Sequence, residues 1–135
     1  MTKEPATPTT SVLIVDDEPS VVRFVARVLS EQGYTTVTAP DGPEAIAAAE
    51  QHGAFDLMVT DLMMPQMTGD ELARRLRSSH PEMKVLYLTG FSDQLFKEKV
   101  SLWADEAFLD KPCSMKGLLE AVSLLLYGRV NAPKG

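Results

Sequence analysis

The run Val12-Leu13-Ile14-Val15-Asp16-Asp17-Glu18-Pro19 decides how this chain is read. Its first four residues are continuously apolar, as expected of a strand buried on both faces. Three carboxylates follow at once. Pro19 then opens a helical stretch in which Val21, Val25, Val28 and Leu29 share one face, and Gly33 stops it. A buried strand that ends in acid and turns into a helix is the first unit of a parallel α/β sheet.

Working outward, the same unit recurs. Thr35–Thr38 reads as a second strand, Asp41-Gly42-Pro43 as a helix start and Glu44–Gln51 as an alanine-rich helix. Leu57–Thr60 is a third strand that ends at Asp61. A helix begins at Thr68-Gly69-Asp70-Glu71 and runs to about Ser79. Val85–Leu88 is a fourth strand ending at Thr89, followed by a short helix over Asp93–Leu102 with a weak apolar face. Ala107–Leu109 is a short fifth strand. Ser114 caps a final helix carrying Leu118, Leu119, Val122, Leu125 and Leu126. Five strands alternating with five helices predict a doubly wound parallel sheet with helices on both faces, its crossovers right-handed. The domain is expected over residues 11–127. Residues 1–10, rich in Thr and Pro, read as a flexible tail, and 128–135 as a short frayed end.

Length and composition narrow the function. The 135 residues fit one domain large enough to need no covalent staple. Thirteen Lys and Arg against 19 Asp and Glu leave a net charge of -6, which argues against sequence-independent nucleic-acid binding and against docking on an anionic membrane. The single Cys113 excludes an internal disulfide and a multi-thiolate metal site. The isolated His52 and His80 read as surface residues and form no metal cage. The start, MTKEPATPTT, has no apolar core and is not a signal peptide. No apolar run approaches the ~18 residues of a membrane span. A cytoplasmic protein is expected.

Ligands of open parallel sheets sit beyond the carboxyl ends of the strands. There the sequence places Asp16, Asp17 and Glu18, then Asp61, Thr89 and Lys111. If the first and third strands are neighbours, the carboxylates converge. Clustered like charges call for a cation, and hard oxygen ligands without thiolate or imidazole suit Mg²⁺. A carboxylate beside such a metal can attack phosphorus. Lys111 with Mg²⁺ would offset charge on a transferring phosphoryl group, and Thr89 can donate a hydrogen bond to one of its oxygens.

Asp16-Asp17, Asp61, Thr89 and Lys111-Pro112, each at a strand end of a five-fold βα alternation, resemble the receiver domain of two-component response regulators over about Ser11 to Tyr127. The resemblance implies the flavodoxin-like strand order 2-1-3-4-5 found in chemotaxis receivers of that family. It implies that Asp61 accepts the phosphoryl group and that Asp17 ligates Mg²⁺ directly, with Asp16 acting through water. The backbone carbonyl of Met63 completes the metal site. Thr89 is then the switch hydroxyl, Phe108 a switch aromatic without a phenolic hydroxyl and Lys111 the phosphoryl-binding lysine. The Lys111-Pro112 bond is expected to be cis, and Gly90 matches a small-residue position beside the phosphoryl group. Met63 and Phe91 fill the variable flanking positions; both are apolar and cannot orient an attacking water. The Leu88–Phe91 run and the weak fourth helix resemble receivers of hybrid histidine kinases.

The expected function is a phosphorylation-activated signalling switch. A sensor histidine kinase or phosphotransfer protein supplies the phosphoryl group, and the domain slowly hydrolyses it. The surface built from the 93–102 helix, the fifth strand and the last helix then changes its affinity for an output protein or, by the resemblance, for a second copy of the chain. A stand-alone receiver is the leading expectation. The alternatives are a receiver from a hybrid kinase or longer regulator, and a phosphorylation-independent scaffold. A flavin site is disfavoured by the acidic loop after the first strand. Met58, Met63, Met64 and Met67 read as packing residues, Trp103 as a packing anchor and Cys113 as inert. Arg74, Arg75 and Arg77 read as a solvated helix face.

Overall fold

The computed structural model describes residues 10–90, 102 and 104–128. The strands are β1 (Ser11–Val15), β2 (Thr35–Ala39), β3 (Leu57–Asp61), β4 (Lys84–Thr89) and β5 (Glu106–Asp110). The helices among the described residues are α1 (Pro19–Glu31), α2 (Gly42–His52), α3 (Gly69–Arg77) and α4 (Met115–Tyr127). All pairings are parallel, in the order β2-β1-β3-β4-β5. This is the doubly wound, flavodoxin-like sheet expected from the sequence. The tail at 1–9, Phe91, the helix expected over Asp93–Leu102 (Leu102 apart), Trp103 and residues 129–135 fall outside the described residues.

Side chains alternate across each strand, so one sheet feeds two cores. Leu13, Val15, Met58, Val85 and Tyr87 pack with α2 and α3 on one face. Val12, Ile14, Leu57, Val59, Leu86 and Leu88 pack on the other with Val25 and Leu29 of α1 and Leu118 and Val122 of α4. The central β3 is buried at every position, which is why its sequence shows no alternation. Edge strand β2 has exposed threonines at positions 35 and 38. The helix starts follow their caps. The Asp41 carboxylate accepts the Glu44 N–H at 2.9 Å, and the Ser114 hydroxyl accepts that of Gly117 at 2.9 Å. Met58 and Met64 are buried and Met67 packs against the same core.

One expectation is corrected. Arg74 and Arg77 do not belong to a solvated face. They stand three residues apart on the same side of α3 and reach Glu106, the first residue of β5. Arg74 donates to both Glu106 oxygens, at 2.5 and 3.0 Å, and Arg77 Nη2 lies 3.4 Å from Glu106 Oε2. The Glu106 side chain has no exposed surface and that of Arg77 is 9% exposed. Arg75, between them, points to solvent. His52 is exposed as expected; His80 is half-buried, its ring nitrogens 3.2 and 2.9 Å from the carbonyl oxygens of Leu76 and Gly53.

Candidate functional site

Register builds the site. Val15 pairs with Thr60, so the next residues, Asp16 and Asp61, emerge side by side at the carboxyl edge. Asp61 pairs with Leu88 and Thr89 with Asp110, which brings Lys111 to the same edge. The Lys111 amide donates to the Thr89 carbonyl at 2.8 Å and fixes that approach. The Lys111-Pro112 bond is cis, as expected.

Carboxylate oxygens of Asp16, Asp17 and Asp61 lie within 4.8 Å of one another. Asp16 and Asp61 are buried and Asp17 is exposed. Lys111 Nζ is the counter-charge. It lies 3.3 Å from Asp16 Oδ2, 3.4 Å from Asp61 Oδ1 and 3.3 Å from Glu18 Oε1. Three carboxylates thus meet one ammonium and a fourth, Asp17, stands beside two of them, an excess of negative charge that a hard cation would relieve. The other Asp16 oxygen accepts the Glu18 N–H at 2.9 Å. A cavity of about 720 Å³ opens over this edge. Asp17, Glu18, Ser20, Asp61 and Lys111 give it polar lining, and Val21, Phe24, Met63, Leu88, Pro112 and Cys113 an apolar wall. Burial pushes the Cys113 thiol up, which suits the inert role expected of it.

Two sequence-designated residues stand differently. Thr89 is buried and its hydroxyl donates to the Asp110 carboxylate at 3.0 Å. Phe108 is half-buried on the α3 face, with its ring centroid 5.8 Å from that of Tyr87. Three participants carry no distinguishing signal in the sequence: Glu18 is one more acid after the first strand, Asp110 lies just past the apolar run of the fifth, and Gly69 belongs to a helix start.

Gly69 sets the floor of the site. Its amide donates to the Leu62 carbonyl at 2.8 Å, and α3 starts pressed against the backbone of Asp61. A Cβ on residue 69 would meet the Asp61 carbonyl oxygen at 2.3 Å. Backbone cannot rotate away as a side-chain tip can. Gly69→Ala is therefore expected to cost about 1–3 kcal/mol, read as a lower urea midpoint, and to weaken divalent-cation binding by displacing Asp61.

Charge crowding also sets a pH dependence. Burial pushes the Asp16 carboxyl above its usual 3.8, against the Glu18 amide and Lys111, which pull it down. Burial lowers Lys111, but the Asp16 and Asp61 carboxylates outweigh it and hold the ammonium above its usual range. Between 3.8 and the raised Asp16 value, the native state keeps a proton that the unfolded chain has released. Stability from this group is full below 3.8 and falls as pH climbs through the raised value. In metal-free urea titrations across pH, Asp16→Asn should exceed wild type at neutral pH, and the gap should close in acid.

The chain belongs to the response regulator receiver family: the model of the response regulator receiver domain matches residues 12–123. Sensor kinase CckA of Brucella abortus is 37% identical over 117 residues, 86% of this chain and 12% of that protein. Response regulator receiver protein CpdR of the same organism is 29% identical over 115 residues, 85% of this chain and 95% of that protein. The solved structure of chemotaxis response regulator CheY4 of Vibrio cholerae has a TM-score of 0.75 at 33% identity, covering 88% of this chain and all of that one. The protein is a two-component signalling receiver, a phosphorylation-activated switch with an acidic pocket at Asp16, Asp17 and Asp61. Among the described residues no helix is long and apolar enough to cross a membrane.

Proposed function

We propose that Asp61 accepts a phosphoryl group from a phosphohistidine of a sensor histidine kinase or phosphotransfer protein. The observation that carries this is the Asp61 carboxylate bordering the cavity, with Lys111 Nζ at 3.4 Å and two further carboxylates within 4.8 Å. An Asp61 oxygen forms the new bond to phosphorus as the bond to the donor's ring nitrogen breaks, and the leaving imidazole keeps the electron pair and takes up a proton. The donor set fits Mg²⁺: three carboxylates group there, hard oxygen donors of the kind that ion takes, and the family resemblance adds the Met63 carbonyl as a fourth protein oxygen. When bound there, Mg²⁺ neutralises charge on the phosphoryl oxygens.

The chain's own groups do the rest. Lys111 exchanges its Glu18 contact for a phosphoryl oxygen, Thr89 donates its hydroxyl to another, and Phe108 repacks against Tyr87. Asp16, fixed by the Glu18 amide, keeps the acidic site oriented. Gly90 leaves room for the incoming group. With Met63 beside the site offering no hydrogen bond, water attack is left to an unassisted, slow hydrolysis. The repacked β5–α4 surface then changes its affinity for an output protein or a second copy of the chain. We place this activity in the cytoplasm, where phosphodonor kinases act.

A second reading concerns context. Identity of 37% to a stretch of a sensor kinase much longer than this chain favours a receiver working within a hybrid kinase or longer relay. The test of the shared chemistry is intact mass after exposure to Mg²⁺ and a small phosphodonor. One phosphoryl adduct, absent without Mg²⁺, supports the acceptor role. Its absence from folded protein, even with a phosphorylated histidine donor, leaves a scaffold that works without phosphorylation.

A further inference from the structure

We infer that Asp110 is a positioning residue that holds the Thr89 hydroxyl in the unphosphorylated protein, so that a phosphoryl group on Asp61 must take that hydroxyl away from it. The inference rests on the acceptor role proposed for Asp61 and adds a competitor for its switch residue.

Thr89 and Asp110 are the last residues of β4 and β5 and are direct partners in the parallel register. The Thr89 hydroxyl donates to Asp110 Oδ1 at 3.0 Å. The Lys111 amide bonds the Thr89 carbonyl at 2.8 Å, so the backbone brings Asp110 to this place without help from its side chain. Thr89 is 1% exposed, which leaves its hydroxyl dependent on the partners the fold supplies. A threonine has one proton to donate. Given to Asp110, it is not available to a phosphoryl oxygen.

The acceptor matters as much as the contact. A threonine at a strand end often bonds its own backbone; here it bonds a carboxylate on the next strand. Hydrogen bonds to ionised acceptors are the stronger kind; Asp110 is itself exposed, so the hold comes from the buried hydroxyl's need for a partner together with the charge of the acceptor. Asp110 immediately precedes Lys111, so one dipeptide carries both the group that holds the hydroxyl and the cation that meets the phosphoryl group. The free energy of breaking the Thr89–Asp110 bond is subtracted from what the phosphoryl group gains in the active state, and Asp110 thereby sets how far phosphorylation shifts the switch.

Beryllofluoride with Mg²⁺ serves as the phosphoryl probe, titrated against wild type, Asp110→Ala, Thr89→Ala and the double variant. Asp110→Ala is expected to tighten binding about tenfold, about 1.4 kcal/mol, and to have no effect where Thr89 is already Ala. Equal tightening in both backgrounds would overturn the inference, since Asp110 would then act only as a negative charge near an anion. No tightening in either background would overturn it too. A second readout needs no metal: the three-bond couplings of the Thr89 methyl group should report one side-chain rotamer in wild type and averaging in Asp110→Ala. A rotamer unchanged by Asp110→Ala counts against the hold. Wild type that takes up no beryllofluoride overturns the acceptor role of Asp61 and the competition with it, whereas uptake that Asp110 does not influence overturns the competition alone.

Discussion

With Mg²⁺ and a small phosphodonor, Asp61→Asn is expected to gain no phosphoryl group where wild type gains one. Four carboxylates crowd this edge, and burial and hydrogen bonding separate their roles; Glu18 meets Lys111 but is exposed. Asp16 is 1% exposed and has one oxygen on the Glu18 amide and the other on Lys111. It does not border the cavity. Asp17 borders it but is exposed. Asp61 alone combines a place in the cavity wall, burial and the Lys111 ammonium at 3.4 Å. Asparagine preserves the shape but not the nucleophile, since a carboxamide oxygen is a poor attacking group. The variant should remain folded, because it removes one of several repelling charges. Intact mass gives the result directly, and a circular dichroism spectrum matching wild type shows that the loss is chemical. An adduct persisting on Asp61→Asn at wild-type yield would move the acceptor to another carboxylate.

The second large effect lies at the opposite end of the sheet. Glu106→Gln is expected to destabilise the protein by about 3 kcal/mol and to lower its Tm by roughly 10 °C. Glutamine keeps the size of the side chain and removes the charge that Arg74 and Arg77 share. The Glu106 side chain is fully buried and that of Arg77 nearly so, while Arg74 is 29% exposed and recovers some solvation. That partial exposure puts the cost at the low end of the range for a broken buried pair. Burial also strands the Tyr87 hydroxyl, which has no hydrogen-bond partner among the described residues. Its ionised form is strongly disfavoured, by burial first and by Glu106 second. Replacing the whole cluster by apolar residues, Arg74→Met and Arg77→Met with Glu106→Leu, should recover most of the loss, because the desolvation cost disappears with the charges. Four strand steps, roughly 13 Å, separate Glu106 from Asp110. The folded fraction of Glu106→Gln should therefore still accept a phosphoryl group at the wild-type rate. Thermal unfolding and adduct yield, measured on one preparation, separate the two effects.

The sequence by itself determined the layered sheet and the chemistry at its edge. Strands buried on both faces read as unbroken apolar runs, so Val12–Val15 and Leu57–Val59 announce themselves without a partner. The chain direction then says which end of each strand carries Asp16, Asp61, Thr89 and Lys111. The tertiary structure alone decided which of these side chains meet, and with whom. Arg74 and Arg77 look like surface charges until α3 is laid beside the first residue of β5. Asp110 looks like a loop acid until its register places it opposite Thr89. Gly69 looks like part of a helix start until the backbone of Asp61 is found where its Cβ would be. The physical reason is common to all three. Periodicity and capping are local properties that a one-dimensional pattern records. Register between strands and the close approach of a helix to a strand are set by packing between segments far apart in the chain.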